Sequence, residues 1–152
     1  MNFLKNLNIH SKGVYPANAL SNFTAHKFYV DGIMCGSMEG FLQSLKFQDA
    51  AKQREVCKLT GAAAKEEGLK QDWKSRQKLY WQGQSYDRQH KSYKYLVTRA
   101  FNEMVKNPDF VKALKAADGY RLDHSIGVDD PTETVLTKAE FLYQLNRLRF
   151  KL

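Results

Sequence analysis

The chain has 152 residues, a length that fits one domain rather than two. Lys and Arg number 24 against 16 Asp and Glu, so the formal net charge is +8, and 43% of the residues are hydrophobic. This composition excludes disordered and fibrous proteins, and no apolar stretch is long enough for a transmembrane helix. Residues 1–13 lack the apolar centre of a secretory signal, so we expect a cytoplasmic protein that does not contact a membrane.

The N-terminal part of the sequence predicts a small β element followed by a helix. Residues 1–14 are expected to form a flexible arm. Phe28 and Val30 alternate with polar neighbours before Asp31-Gly32, which predicts a short strand, a turn and a second strand over 33–35. At Ser37 the apolar spacing becomes helical, and this serine is suited to cap the helix.

Helical spacing continues over most of the remaining chain. We predict helices over 49–58, 61–68, 74–81 and 88–106, and another that begins at Asn107-Pro108. A Gly- and Asp-rich loop is expected over 118–133. The last helix opens at Thr137, with Glu140 three residues later as in a capping box. The predicted fold class is α+β: one helix-rich domain over residues 1–152 with a small N-terminal β element.

The positive charge is unevenly distributed along the chain. Residues 65–99 contain nine basic and four acidic side chains, whereas residues 100–137 contain four basic and seven acidic ones. This pattern indicates an anionic ligand at a site that also contains carboxylates, and a solvated surface would give the same counts. No DNA- or RNA-binding motif accompanies the charge, so a non-catalytic nucleic-acid binder is the hypothesis with the weakest support.

Cysteine and histidine spacing gives no indication of a metal centre. Cys35 and Cys57 form no CxxC pair, and we expect both thiols to be reduced and partly buried. The four histidines show no zinc-binding spacing, and P-loop, dinucleotide-binding and GxSxG patterns are missing. We therefore expect neither a metal nor a cofactor.

The segment 37–47 contains the polar residues of greatest chemical interest. Glu39, Gln43 and Lys46 lie at i, i+4 and i+7 and share one helix face. A solvent-facing row of polar residues would have the same spacing. This face is narrow between apolar neighbours, however, and Glu39 lies in the first helical turn, where the helix dipole favours its ionised form.

Longer strings around this segment match a known family. The most specific is Ser37-x-Glu39-x-x-x-Gln43-x-x-Lys46-Phe47, preceded by Leu20-Ser-Asn-Phe23. Supporting strings are Gly61-Ala-Ala-Ala-Lys65, Tyr80-Trp-x-Gly followed by Asp87-Arg88, Leu122-x-His124-Ser125, and a C-terminal stretch over 134–149. Together these strings resemble the NADAR (YbiA-like) superfamily over residues 15–149, and the C-terminal stretch is similar to one bacterial and phage branch.

The resemblance implies an N-glycosidase. Members of the superfamily are similar to enzymes that cleave the ribosyl N-glycosidic bond of riboflavin-pathway intermediates or that remove ADP-ribose from guanine in DNA. The implied substrate is a phosphorylated N-riboside or an ADP-ribose adduct, including ADP-ribosylated DNA, which suits a basic protein. The alternative is a non-catalytic module that binds ADP-ribose or a related nucleotide.

Cleavage of a C1′–N bond requires an anion near C1′, a base for water, and an acid or hydrogen bonds for the leaving base. Glu39 is the candidate that binds the ribose hydroxyls, stabilises the developing charge or activates water. Lys46 would orient Glu39, bind phosphate, or attack an opened ribose aldehyde as an amine. Asp130 is the candidate second carboxylate, although Gly127-Val-Asp-Asp-Pro-Thr replaces the Trp- and Gly-containing loop of other members.

The remaining candidates are predicted to bind the substrate. Asn22 and Gln43 would fix ribose or base through amide hydrogen bonds. Trp81 would stack on a base or belong to the core. His124 would be an acid, a supporting hydrogen-bond partner or a satisfied core histidine. Three basic residues are pyrophosphate ligands or ordinary surface residues: Arg54, Lys65 and Arg88.

Overall fold

The computed structural model describes residues 5–152, which form six α-helices and six short strands. The strands are β1 (Lys5–Asn8), β2 (Phe28–Val30), β3 (Ile33–Cys35), β4 (Lys78–Trp81), β5 (Gln84–Asp87) and β6 (Tyr120–Asp123). The helices are α1 (Met38–Ser44), α2 (Ala50–Cys57), α3 (Gly61–Leu69), α4 (Lys91–Met104), α5 (Pro108–Ala116) and α6 (Lys138–Phe150). The predicted helix-rich α+β class is confirmed. No helix in this part of the chain is long and apolar enough to span a bilayer.

The strands form three separate two-stranded sheets: β1 with β6 in parallel, and β2 with β3 and β4 with β5 as antiparallel hairpins. The predicted hairpin at Asp31-Gly32 is confirmed. Both residues have positive φ, 51° and 79°, as a two-residue type I′ turn requires. The side chains of Phe28 and Val30 are buried, so this hairpin lies against the core.

Helix α1 begins where the sequence predicts. Ser37 Oγ accepts a 2.9 Å hydrogen bond from Gly40 N and donates one of 2.9 Å to Leu59 O. A Cβ at Gly40 would overlap the carbonyl oxygens of Cys57 and Leu59. The absence of a side chain at Gly40 therefore lets the first turn of α1 pack directly on the end of α2.

The helix predicted over 74–81 is wrong. Lys78–Trp81 is strand β4, and it pairs with β5 across a turn at Gln82 and Gly83, whose φ values are 45° and 87°. Two successive residues with positive φ cannot continue a right-handed helix. The backbone instead makes the second hairpin.

The prediction of a flexible arm over 1–14 is wrong for residues 5–8. These residues form β1, which pairs in parallel with β6 in the segment that was predicted to be a loop. Leu7 lies opposite Leu122, and both side chains contact the core. Residues 1–4 lie outside the described residues.

Helix α4 is at the centre of the hydrophobic core. One of its faces is buried by Tyr93, Leu96, Val97, Ala100, Phe101 and Met104. The predicted helices over 49–58, 61–68 and 88–106 and the helix start at Asn107-Pro108 are confirmed. The capping box of α6 is also present: Thr137 Oγ1 accepts from Glu140 N at 3.0 Å, and Glu140 Oε1 accepts from Thr137 N at 2.8 Å.

Candidate functional site

A cavity of about 260 Å³ lies between α1 and the segment that leads into α6. Its α1 side includes Glu39, Leu42 and Gln43, and the opposite side is formed by 124–128 and 134–137 together with Phe141. Five of the ten site residues predicted from sequence line it: Asn22, Glu39, Gln43, Lys65 and His124. The structure thus brings together residues from both ends of the chain.

The loop at Asn22 is fixed to α1 by the backbone. Glu39 N donates a 3.0 Å hydrogen bond to Asn22 O, which satisfies one of the free N–H groups in the first turn of the helix. Asn22 Oδ1 is buried and has no hydrogen-bond partner among residues 5–152. An unpaired buried acceptor costs about 1–3 kcal/mol, so its presence beside a cavity is a feature of binding sites.

Glu39 is the only acidic side chain that lines the cavity within residues 5–152. Its Oε1 accepts a 2.8 Å hydrogen bond from Gln43 Nε2. Burial raises the pKa of the Glu39 carboxyl, while the Gln43 hydrogen bond and the positive charges of Lys46 and Lys65 oppose that shift. The net result is a raised pKa, and a carboxyl with a raised pKa is better suited to accept a proton near neutral pH.

Lys46 lies just beyond α1 and is buried with only 8% of its surface exposed. Gln43, at 7% exposure, is equally buried, so the alternative of a solvent-facing polar row is wrong. Burial lowers the pKa of the Lys46 ammonium, the charge of Glu39 raises it, and Lys74 and Lys65 lower it further. Lys46 does not line the cavity.

His124 contacts the cavity from the opposite side. Its Nδ1 is 2.9 Å from Ile9 O, and its ring packs edge-on against Phe141 at 5.0 Å between centroids. A carbonyl oxygen only accepts, so Nδ1 carries a hydrogen. His124 therefore makes the supporting hydrogen bond that was predicted for it, and it also lines the cavity.

Arg88 is neither a surface residue nor part of the cavity. Its side chain is 1% exposed, its Nη2 lies 2.6 Å from Glu140 Oε1, and its Nε donates to Thr134 O at 2.9 Å. We therefore correct its assignment as a pyrophosphate ligand, because it is buried, pairs with Glu140 and does not line the cavity. Its contact with Thr134 makes it a positioning residue for the cavity side at 134–137.

Two other predicted residues, Trp81 and Arg54, also lie outside the cavity. Trp81 is 2% exposed, packs edge-on against Phe41 at 5.1 Å and donates its Nε1 hydrogen to Asp31 Oδ2, so the core interpretation is correct. Arg54 is exposed on α2, where its Nη1 contacts Gln82 Oε1 at 3.4 Å. Neither residue contributes to the lining of the cavity.

Asp130 does not supply a second carboxylate to the cavity. It is exposed, and its Oδ1 accepts hydrogen bonds from Thr132 N at 2.9 Å and Thr132 Oγ1 at 2.7 Å. These contacts close a local turn, as aspartate commonly does in loops. The assignment of Asp130 as a catalytic residue is therefore withdrawn.

Sequence reasoning missed the apolar rim of the cavity. Ile126 and Val128 line it and are 60% and 49% exposed. The sequence does contain a signal for this rim, because Ile126 and Val128 are apolar residues within a loop of mostly polar residues. Leu42 and Phe141 also line the cavity.

Comparisons with known proteins agree with this architecture. The family model described as "Bacteriophage protein GP30.3" matches residues 14–150. A protein of Enterobacteria phage T4, described as an uncharacterized 17.1 kDa protein in the Gp30-rIII intergenic region, is 39% identical over 152 aligned positions, which cover 96% of this chain and 98% of that protein.

A solved structure shares the fold. The NMR structure of the E. coli protein YbiA superposes with a TM-score of 0.64 at 16% identity and covers 99% of this chain and 86% of its own. The fold that the resemblance implies is thereby confirmed. The chain belongs to the bacteriophage GP30.3 family, which is a family of the NADAR type.

Proposed function

We propose that this protein is an N-glycosidase that hydrolyses the C1′–N ribosyl bond of an ADP-ribosylated base or of a phosphorylated riboflavin-pathway intermediate. The observation that carries the proposal is Glu39, a cavity carboxylate that Gln43 holds in place and whose pKa is raised by burial. A general base works best when its pKa lies near the working pH, and a buried carboxylate approaches that condition. A merely structural carboxylate would gain nothing from this environment.

The reaction requires one bond to form and one to break. The oxygen of a water molecule adds to C1′ while its proton passes to Glu39. The C1′–N electron pair leaves with the nitrogen of the base, which takes up a proton from Nε2 of a protonated His124. The proton held by Glu39 then returns to His124 through solvent. While Glu39 is still ionised, its negative charge also stabilises the positive charge that develops on the ribosyl group.

His124 is the residue that we assign to the leaving group. Among residues 5–152, the Asp, Glu, His and Lys side chains that line the cavity are Glu39, Lys65 and His124. The contact of Nδ1 with Ile9 O fixes the ring, so Nε2 is the nitrogen that exchanges a proton with the substrate. Lys65, which is exposed at the cavity, would bind a phosphate group.

The cavity size limits how the substrate enters. At about 260 Å³ it is smaller than the 300–1,000 Å³ typical of sites for drug-sized ligands. We expect the ribose ring to enter beside Glu39 and the buried Asn22 amide, while the remaining nucleotide lies across the rim. Ile126 and Val128 offer an apolar surface there for the flat face of a base.

The test compares wild type with Glu39→Gln, which keeps an oxygen that can accept from Gln43. Each protein is incubated with DNA containing ADP-ribosyl-guanine and, separately, with the phosphoribosylamino intermediate of the riboflavin pathway. Chromatography measures the released base and sugar phosphate. Glu66→Gln is the matched control, because Glu66 is an exposed glutamate on α3 outside the cavity.

We expect wild type and Glu66→Gln to release product and Glu39→Gln to be slower by about 100-fold or more, as for the loss of a positioned base. Equal rates in all three proteins would exclude Glu39 from the chemistry. ADP-ribose binding by calorimetry without release from either substrate would replace the enzyme with the non-catalytic binding module.

A further inference from the structure

A second concave surface lies on the other side of the 134–137 segment. It is a groove of about 530 Å³ between α4 and α6, and Leu136 lines both this groove and the cavity. Tyr95 and Tyr143 line the groove, and 68% and 62% of their surfaces are exposed. Two aromatic side chains so exposed in one groove indicate a binding surface.

The groove has positive charge that no neighbouring carboxylate compensates. Lys91 and Lys94 line it, and neither forms an ion pair with a residue in the range 5–152. The acidic residue lining the groove, Glu140, is already bound by Arg88. A ligand that enters the groove therefore meets two free ammonium groups beside two tyrosine rings.

We infer that this α4–α6 groove binds single-stranded DNA, with bases stacked on Tyr95 and Tyr143 and phosphates held by Lys91 and Lys94. Aromatic rings inside a positively charged groove are the combination that proteins use for unpaired strands. A duplex does not suit this surface, because base pairing keeps the faces of its bases covered. A purely apolar protein partner would leave both lysines unpaired.

If the groove binds single-stranded DNA, the substrate of the cavity is an ADP-ribosylated DNA strand, and this assignment of the substrate rests on the proposed function. A strand in the groove would present an ADP-ribosylated base to the cavity across the 134–137 segment. Binding of an unmodified strand requires no catalysis. The binding measurement therefore stands or falls separately from the glycosidase measurement.

The test measures fluorescence anisotropy with a labelled, unmodified oligonucleotide of about 12 nucleotides, within the range that one binding fold covers. The variants are Tyr95→Ala with Tyr143→Ala, and Lys91→Gln with Lys94→Gln. The controls are Tyr29→Ala and Lys112→Gln, which remove an exposed tyrosine and an exposed lysine outside the groove. Each titration is repeated at several salt concentrations and with RNA of the same sequence.

We expect the tyrosine pair to weaken binding by about 10-fold per ring and the controls to bind as wild type does. The lysine pair should reduce the slope of log K against log salt by about 1.4, because two phosphate contacts are lost.

Two sets of results would overturn the inference. Absence of DNA binding, equal losses in groove and control variants, or a tenfold preference for RNA would remove DNA from the groove. Sedimentation that shows a dimer in wild type and a monomer in the tyrosine variant would assign the groove to a second copy of the chain instead.

Discussion

Gln43 holds Glu39 through one hydrogen bond, 2.8 Å from its Nε2 to Oε1 of the carboxylate. The other end of the same amide faces α3, where a Cβ at Gly68 would overlap Gln43 Oε1 and lie 3.2 Å from Lys46 Nζ. The Gln43 amide thus lies between a buried acid and a buried base that form no direct ion pair within 4.0 Å. Burial raises the pKa of Glu39 and lowers the pKa of Lys46. The ionised form of each group therefore lowers the free energy of unfolding relative to its neutral form.

The first prediction is that Glu39→Gln stabilises the protein at pH 8. A carboxyl whose pKa is raised in the folded state contributes stability below its unfolded pKa of about 4.3, and this is lost as pH rises through the folded pKa. The neutral amide avoids that loss. We expect Tm to rise by roughly 2–4 °C, the shift that 1 kcal/mol gives a domain of this size.

Thermal unfolding at pH 8 and pH 4 checks this prediction. The gain should disappear at pH 4, where Glu39 is protonated in wild type as well. Glu66→Gln provides the comparison at an exposed position of α3 and should leave Tm unchanged at both values. A lower Tm for Glu39→Gln at pH 8 would show that the ionised carboxylate is stabilising.

The second prediction concerns Lys46→Met and the pH dependence of kcat/KM. The positive charge of Lys46 lowers the pKa of Glu39 against the larger effect of burial. Removing that charge raises the pKa of Glu39 further, so the acid limb of the profile should move to higher pH while the plateau remains. Lys58→Met, at an exposed position after α2, should leave the limb in place.

The same measurement distinguishes the other role considered for Lys46. If its amine attacked an opened ribose aldehyde, Lys46→Met would lose activity at every pH, and borohydride added during turnover would trap wild type covalently. We expect no trapped adduct, because Lys46 does not line the cavity.

The third prediction is that Gly68→Ala impairs the site with little effect on folding. Alanine is preferred over glycine within a helix by about 1 kcal/mol, which offsets part of the clash. The new methyl group would overlap Gln43 Oε1 and force this amide away from Glu39. We expect kcat/KM to fall by about 100-fold, the loss that a displacement near 1 Å causes in a positioned group.

Kinetics and thermal unfolding of Gly68→Ala are compared with Glu66→Ala, an exposed substitution in the same helix. The control should retain both activity and Tm. Full activity in Gly68→Ala would mean that the position of Gln43 has no influence on the reaction.

Local sequence signals predicted one hairpin and missed the other for a physical reason. Asp31-Gly32 is a common pair for a type I′ turn, because aspartate and glycine tolerate positive φ. Gln82-Gly83 adopts the same backbone, yet glutamine seldom does so, so this turn carries no recognisable sequence signal. Only tertiary packing, with Leu79 and Trp81 in the core, selects the strand.

The α1 side of the cavity was predictable, and the opposite side was not. The spacing of Glu39, Gln43 and Lys46 reports a shared helix face directly. The position of His124 depends instead on the parallel pairing of β1 with β6, which brings Ile9 beside His124. Neither strand has enough apolar residues to be recognised, so no local pattern signals that contact.

The fourth prediction is that Glu140→Gln strongly destabilises the protein at pH 7. Burial alone would raise the pKa of Glu140, but hydrogen bonds from Arg88 and Thr137 outweigh it, and the net pKa is lowered. Its contribution is therefore present above the unfolded pKa of about 4.3 and is lost as pH falls through the folded pKa. We expect the free energy of unfolding to fall by about 3 kcal/mol, because Arg88 remains as an uncompensated buried charge.

Denaturant unfolding between pH 7 and pH 3 tests this prediction with Glu133→Gln as the control. Glu133 also forms a short ion pair, 2.7 Å from Lys74, but both side chains are about half exposed, so its loss should cost less than about 1 kcal/mol. The difference between wild type and Glu140→Gln should shrink toward pH 3, because wild type then loses the same charge. Equal losses in the free energy of unfolding for the two variants at pH 7 would show that burial adds nothing to the Arg88–Glu140 pair.

A loss of stability confined to Glu140→Gln, together with a loss of activity, would show that this pair holds Thr134 and its side of the cavity in place.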